Sequence, residues 1–364
     1  MTDAPLPADN RRRLRRVIQT AISLALVGAI FFYALPQFAD FSKVWAEIRA
    51  MTPIEIATLL IAAAWNIGTY WFVMIASLPG STFWQAMKVN QTSTAVSNTI
   101  PAGSAIGIGV TYAMYSAYGF SRNEVTLSVL VSGLWNNFVK LGMPIVALGL
   151  LALEGGASGA LVTGSLVGIA ALVAFVAVFA MSLRSEAFAH RAGDRAARIV
   201  SPIRRALKKA PASGWGDGLV RFRRDALELL RRRWLALTIS TIVSHVSLFV
   251  VLLLALRHVG VSTGQVTVAE ALAAFAFVRL ISALPITPGG LGVVELGMIA
   301  ALVAAGGPEP AVVAAVLVYR VLTYVAPIPF GLIAYLQWKR GSERRRTGAA
   351  ARRAERAAVE DVAS

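Results

Sequence analysis

The chain has 364 residues, 57% of them hydrophobic and 15% charged, with a mean hydropathy of +0.65 and a net charge of +16. Soluble domains carry about 25% charged residues, so the composition argues against a soluble globular fold. The absence of cysteine excludes disulfides, thiolate catalysis and thiolate-held metals. His190, His245 and His258 have no second metal ligand at motif spacing, and neither a metal nor another cofactor is expected. In a soluble protein this positive charge would point to nucleic acid. In an apolar chain it follows from lysine and arginine collecting on the cytoplasmic side, so no nucleic-acid partner is expected.

Residues 1–16 form a polar amino terminus that ends in Arg11, Arg12, Arg13, Arg15 and Arg16. The apolar run 17–35 follows. It is long for a signal peptide and closes on Phe31, Phe32, Tyr33 and Pro36 rather than on a small-residue cleavage site. It reads as a retained first helix. A second span covers 53–78, with a short connection at 79–92 that carries Lys88. The apolar region 93–118 is interrupted at Ser97-Asn98-Thr99-Ile100-Pro101-Ala102-Gly103-Ser104, which predicts a re-entrant hairpin or two short tilted spans. Spans at 125–153 and 159–183 flank a turn at Glu154-Gly155-Gly156. Residues 184–233 carry fourteen basic and five acidic side chains, and read either as an amphipathic interfacial helix or as a solvated cytoplasmic linker. A span at 234–256 comes next. The apolar stretch 268–305 is broken at Pro285-Ile286-Thr287-Pro288-Gly289-Gly290, and a last span covers 310–336. The expected organisation is a basic terminus 1–16, a transmembrane domain 17–338, and a disordered cytoplasmic tail 339–364.

With the amino terminus inside, 184–233 and the tail also fall inside. The segments left outside, 36–52, 154–158 and 257–267, are nearly neutral. This asymmetry is the one expected of an inner, plasma-membrane protein with both termini cytoplasmic. Each half then holds a span, a broken Pro-Gly region and another span: 53–78, 93–118 and 125–153 against 234–256, 268–305 and 310–336. The two units enter from opposite sides. The expected fold is an all-α polytopic membrane protein made of inverted repeats with two broken or re-entrant Pro-Gly helix regions. In such folds the breaks point to the substrate site.

Ionised groups in hydrocarbon are costly, and face a partner, a bundle interior or a water-filled path. Lys140 lies mid-span, with Asn136 and Asn137 one turn before it on the same face. Arg320 lies inside the last span, with Tyr324 and Thr323 flanking its face. Arg279 precedes the second break, and Glu295 follows Gly290 by five residues. Three readings stay open for Lys140 and Arg320: contact with an anionic group, pairing, or snorkelling to the interface; Glu295 could equally neutralise Arg279 or Arg320 and hold helices together. Helix starts after Pro101 and Pro288 would present unpaired amides to a phosphate. Gly103, Gly289 and Gly290 would let it approach the backbone. His245 reads as a buried, hydrogen-bonded histidine. Gly289-Gly290-Leu291-Gly292 is not a nucleotide loop, because the Walker lysine is absent.

The stretch Leu284-Pro285-Ile286-Thr287-Pro288-Gly289-Gly290-Leu291-Gly292-Val293-Val294-Glu295 resembles the signature of the flippase-like lysylphosphatidylglycerol synthase transmembrane-region family. Asn98-Thr99-Ile100-Pro101-Ala102-Gly103-Ser104 looks like its first-half counterpart, and the resemblance spans about 15–338. In fused members a related domain translocates aminoacylated phosphatidylglycerol, while a separate soluble domain makes that lipid from aminoacyl-tRNA. Only the polar residues 339–364 follow the last span here, so the resemblance implies no lysyl transfer by this chain. It implies that Pro288, Gly289, Gly290 and Glu295 matter.

The leading expectation is a non-enzymatic transporter or flippase of anionic or phosphate-bearing membrane lipids. Two other readings stand beside it. One is a non-transporting adaptor for an envelope-lipid synthesis enzyme, docked through 184–233. The other is an integral membrane lipid-modifying enzyme with Glu295 as base, although paired carboxylates and an activated nucleophile are missing.

Overall fold

A computed structural model of the chain describes residues 41–99, 103–155, 159–206, 210, 213–282 and 290–341. The expected first span at 17–35, Pro101, Pro288 and Gly289 lie outside the described residues, as does the tail beyond 341. The described residues form eleven α-helices: α1 Phe41–Ala50, α2 Pro53–Ser77, α3 Phe83–Thr99, α4 Gly103–Ala117, α5 Arg122–Leu153, α6 Gly159–Arg184, α7 Glu186–Ala206, α8 Trp215–His258, α9 Val268–Ile281, α10 Val293–Ala304 and α11 Glu309–Gly341. Helices α2, α5, α8 and α11 are long and apolar enough to cross a bilayer, and α6 with α7 makes a fifth crossing if that pair, bent by 111°, counts as one.

Helix starts are set locally. Thr52 with Glu55, Ser121 with Glu124, and Thr267 with Glu270 form capping boxes at α2, α5 and α9. Two segments depart from the sequence reading. The connection expected at 79–92 contracts to a turn, because Thr82 accepts from the Gln85 N–H and Gln85 Oε1 accepts from the Thr82 N–H, which starts α3 at Phe83. The basic segment 184–233 contains two helices, and α8 begins in it at Trp215, well before the apolar part of that helix.

The two helices that flank each break pack against each other as an antiparallel pair. In the first, Gly103 abuts the backbone of Val96 and Ser97, Gly107 abuts Ser93, and far from the break Ser81 reaches Tyr115. In the second, Gly290 faces Ser282, Gly297 faces Val278, and Gly307 faces Val266. The glycines let the backbones close to distances that side chains would forbid. At about 1.5 Å per residue these helices measure about 18–26 Å, short of the hydrocarbon thickness of about 30 Å.

The hairpins are exchanged between the halves. Helix α2 packs along α8, with Asn66 Nδ2 donating to Ser247 Oγ at 2.8 Å. Helix α3 lies on α11, where Gly331 meets Gln91 O and Ala95 Cβ, and α9 lies on α5. The largest apolar core, which includes Phe249, Leu252, Phe275, Met298 and Val313, joins the second hairpin to α8 and α11. A smaller one with Met74, Val89 and Tyr115 holds the first hairpin. A Cβ at residue 331 would collide with α3. Gly331→Val is therefore expected to cost about 1–3 kcal/mol, read as a lower unfolding midpoint in detergent. An unchanged midpoint would show that α3 and α11 do not press together there.

Candidate functional site

The exchanged packing leaves a polar cavity of about 410 Å³ at its centre, to which all six of α2, α3, α5, α8, α9 and α11 contribute. Helix α3 supplies the largest share, through Asn90, Gln91, Ser93, Thr94, Ser97 and Asn98. Tyr70 and Asn136 also line it, and Asn136 Nδ2 donates to the Tyr70 hydroxyl at 2.7 Å. His245, Arg279 and Thr323 are further members of the wall. The residues approaching both Pro-Gly breaks thus converge on one space, α3 from the first half and Arg279 from the second.

Arg279 is the unusual member. Among the described residues no carboxylate lies within ion-pair distance of it, and its Nε is buried without a hydrogen-bond partner. Its electrostatic neighbours include the Tyr70 and Tyr319 hydroxyls and a second cation, Arg320. Four buried polar side-chain atoms lack partners among the described residues, and two of them, Arg279 Nε and His245 Nε2, belong to residues lining this cavity. The other His245 nitrogen, Nδ1, is 3.0 Å from the Thr241 carbonyl.

Glu295 and Arg320 are committed to each other. Arg320 Nε donates to Glu295 Oε1 at 2.7 Å, with the two side chains 13% and 1% exposed. Glu295 Oε2 accepts from the Gly292 N–H at 2.7 Å and so caps the start of α10. The Arg320 guanidinium also lies over the Tyr324 ring, 4.4 Å from its centre. One of the amides that the sequence offers to a phosphate after the second break, the Gly292 N–H, therefore already faces a carboxylate. Gly290 and Gly292 have positive φ, 69° and 80°, and turn the chain into α10.

Tyr324 and Asn98 bond reciprocally: Asn98 Nδ2 donates to Tyr324 O at 2.9 Å, and the Tyr324 hydroxyl donates to Asn98 O at 2.7 Å. The Tyr324 carbonyl sits in a π-turn, Val321–Val325, where Ala326 N–H donates to Val321 O at 2.8 Å. Pro327 lies just beyond and cannot donate to the Thr323 carbonyl, which gives the local reason for the wider turn.

Of the residues singled out from sequence, Asn136 and Arg279 line the cavity, while Glu295, Arg320 and Tyr324 form the adjacent buried network. Lys140 is half-buried and stands within electrostatic reach of Arg279 and His245 without lining the cavity. Asn137 is exposed, so its helical neighbours separate: Asn136 turns inward and Asn137 does not. Gly103 is buried in the first hairpin. The sequence reading missed the α3 wall. The signal was the run of uncharged polar residues from Asn90 to Thr99, in a helix placed between two membrane spans.

A family model described as the lysylphosphatidylglycerol synthase TM region matches residues 18–331. No curated protein is similar enough to the chain to count as a match.

Proposed function

Because this integral membrane protein belongs to the lysylphosphatidylglycerol synthase transmembrane-region family, we propose that it moves lipids with an anionic or phosphate-bearing headgroup between membrane leaflets. The observation that carries this reading is Arg279, a half-buried guanidinium that lines a polar cavity, with its Nε buried and no carboxylate beside it among the described residues. A buried charge without a partner destabilises its own protein. Such a cation fits a transient partner of opposite charge, and guanidinium matches phosphate geometry. The surrounding amides and hydroxyls of α3 offer donors to the remaining headgroup oxygens. In this reading the chain performs no covalent chemistry.

The path is supplied by two short hairpins that enter the membrane from opposite faces and meet at the cavity. The exchanged packing, α3 on α11 and α9 on α5, is what an internal two-fold relation between the halves would produce. In this reading both termini and the α7–α8 connection face the cytoplasm, which the charge asymmetry supports. The chain has no cysteine, so single substitutions test this directly. Ser213→Cys should react with an impermeant thiol reagent only from the cytoplasmic face, and Ser262→Cys only from the other. Labelling of both from one side would overturn the inverted arrangement.

The transport reading is tested in liposomes, by following leaflet exposure of labelled lipids that share one pair of acyl chains and differ in headgroup. Phosphatidylglycerol is expected to exchange faster with protein than without, and faster than a neutral glycosyl diacylglycerol that carries no phosphate. Equal rates for every headgroup, or no protein dependence for any, would remove the proposal.

A further inference from the structure

Beside the polar cavity lies an apolar groove of about 690 Å³, bounded by α5, α6, α8 and α9. Phe138, Gly142, Val146, Phe179, Ile242 and Leu272 are among its walls. Its size falls in the range of about 300–1,000 Å³ in which proteins hold small molecules. The groove offers a ligand almost nothing polar. Trp135 Nε1 donates to Thr238 Oγ1 at 3.0 Å, and that hydroxyl donates to the Trp234 carbonyl at 2.8 Å. The exception is His245, which lines both the groove and the cavity. Its Nε2 is the unpartnered atom there. Val146, Val176, Ile242 and Val246 keep accessible surface, so among the described residues the groove opens on the flank of the helix bundle.

From cavity to groove the order is therefore a cation, Arg279, then the shared residue His245, whose buried Nε2 has no partner among the described residues, then hydrocarbon. A lipid presents the same order, as charged headgroup, ester or phosphoester junction, and chain. We infer that the groove receives a hydrocarbon chain of the lipid whose headgroup meets Arg279, so that one molecule is held across His245. The inference rests on the headgroup reading above and deepens it. A protein handling only the headgroup could leave the chain in the bilayer, which is as apolar as leucine. A walled groove adds shape, so it makes affinity depend on chain length.

Gly142 gives the means to test this. It lines the groove, and a Cβ there meets no atom within 4 Å. Gly142→Phe fills the groove and replaces a residue with poor helix propensity. Dissociation constants are measured on the full chain in detergent, for phosphatidylglycerol with palmitoyl chains and with hexanoyl chains. Each is expressed as a ratio to wild type, so that micelle partition cancels. Gly142→Phe is expected to weaken the palmitoyl lipid about tenfold and leave the hexanoyl lipid unchanged. Arg279→Gln is expected to weaken both alike. An unchanged palmitoyl ratio for Gly142→Phe, with both lipids weakened by Arg279→Gln, overturns the chain site alone. Unchanged ratios for Arg279→Gln, or wild type that binds neither lipid, overturn the headgroup reading and this inference with it. A photoreactive side chain at residue 142 gives an independent readout. Capture of the palmitoyl lipid supports the inference, and capture of residues 17–35 instead overturns it, because that segment would then be the occupant.

Discussion

Arg279→Gln is expected to slow leaflet exchange of phosphatidylglycerol about 10–100-fold while leaving the unfolding midpoint in detergent unchanged or higher. The loss follows from one charge-assisted hydrogen bond to the headgroup, worth about 1.5–3 kcal/mol, at about 1.4 kcal/mol per factor of ten. The stability effect has the opposite sign because Arg279 has no carboxylate partner among the described residues and its Nε is buried unsatisfied. Glutamine removes a desolvated charge and keeps a donor in the cavity. The two readouts together separate a functional cation from a structural one, since a structural guanidinium would lower the midpoint when removed. Arg279→Lys keeps the charge but loses the planar fork, and is expected to fall between wild type and glutamine. Exchange by Arg279→Gln at the wild-type rate would end the headgroup assignment.

Much of the framework could be read before any coordinates. Long apolar runs announced α2, α5, α8 and α11, because a bilayer demands a fixed helix length. Proline and glycine marked the region between α3 and α4 and the region between α9 and α10 as interruptions. The site was less legible. Asn136 was marked by sharing a helical face with Lys140, and Arg279 by preceding the second break, but nothing in the sequence ranks Arg279 above Arg320. Only packing shows that Glu295 reaches Arg320, 25 residues away, at 2.7 Å and leaves Arg279 without a carboxylate among the described residues. Helix α3 was hidden for a different reason. Its uncharged amides and hydroxyls give neither the long apolar run of a span nor the charge of a loop, so hydropathy splits it between a connection and a broken span. Its place on the cavity wall comes from contact with α11 through Gly331, a relation between residues more than 200 positions apart.

Removing the Glu295 carboxylate should produce the largest loss of stability. Glu295→Ala leaves the Arg320 guanidinium buried without its carboxylate and takes the acceptor from the Gly292 N–H. Breaking one partner out of a buried pair costs about 3–5 kcal/mol, and loss of a helix cap adds about 1 kcal/mol. Glu295→Gln keeps an acceptor for the Gly292 N–H, so its loss should be smaller. Adding Arg320→Gln to that variant should recover stability, because two neutral amides can bond to each other where the guanidinium has lost its carboxylate. Thermal unfolding of the four proteins, wild type, each single variant and the double, measures the coupling. Strict additivity would mean that the 2.7 Å contact contributes no net interaction.

The reciprocal bonds between Asn98 and Tyr324 bear on how such a protein would open. They clasp the last turn before one membrane break to the widened turn of the opposite half, using a backbone oxygen and a side-chain donor from each residue. Such a clasp does not stretch by degrees. Either both bonds release together or the two turns travel as one body, which favours two discrete postures over a continuum. A path closed by this clasp would behave as a latch, and the rate of its release would set the tempo of each cycle.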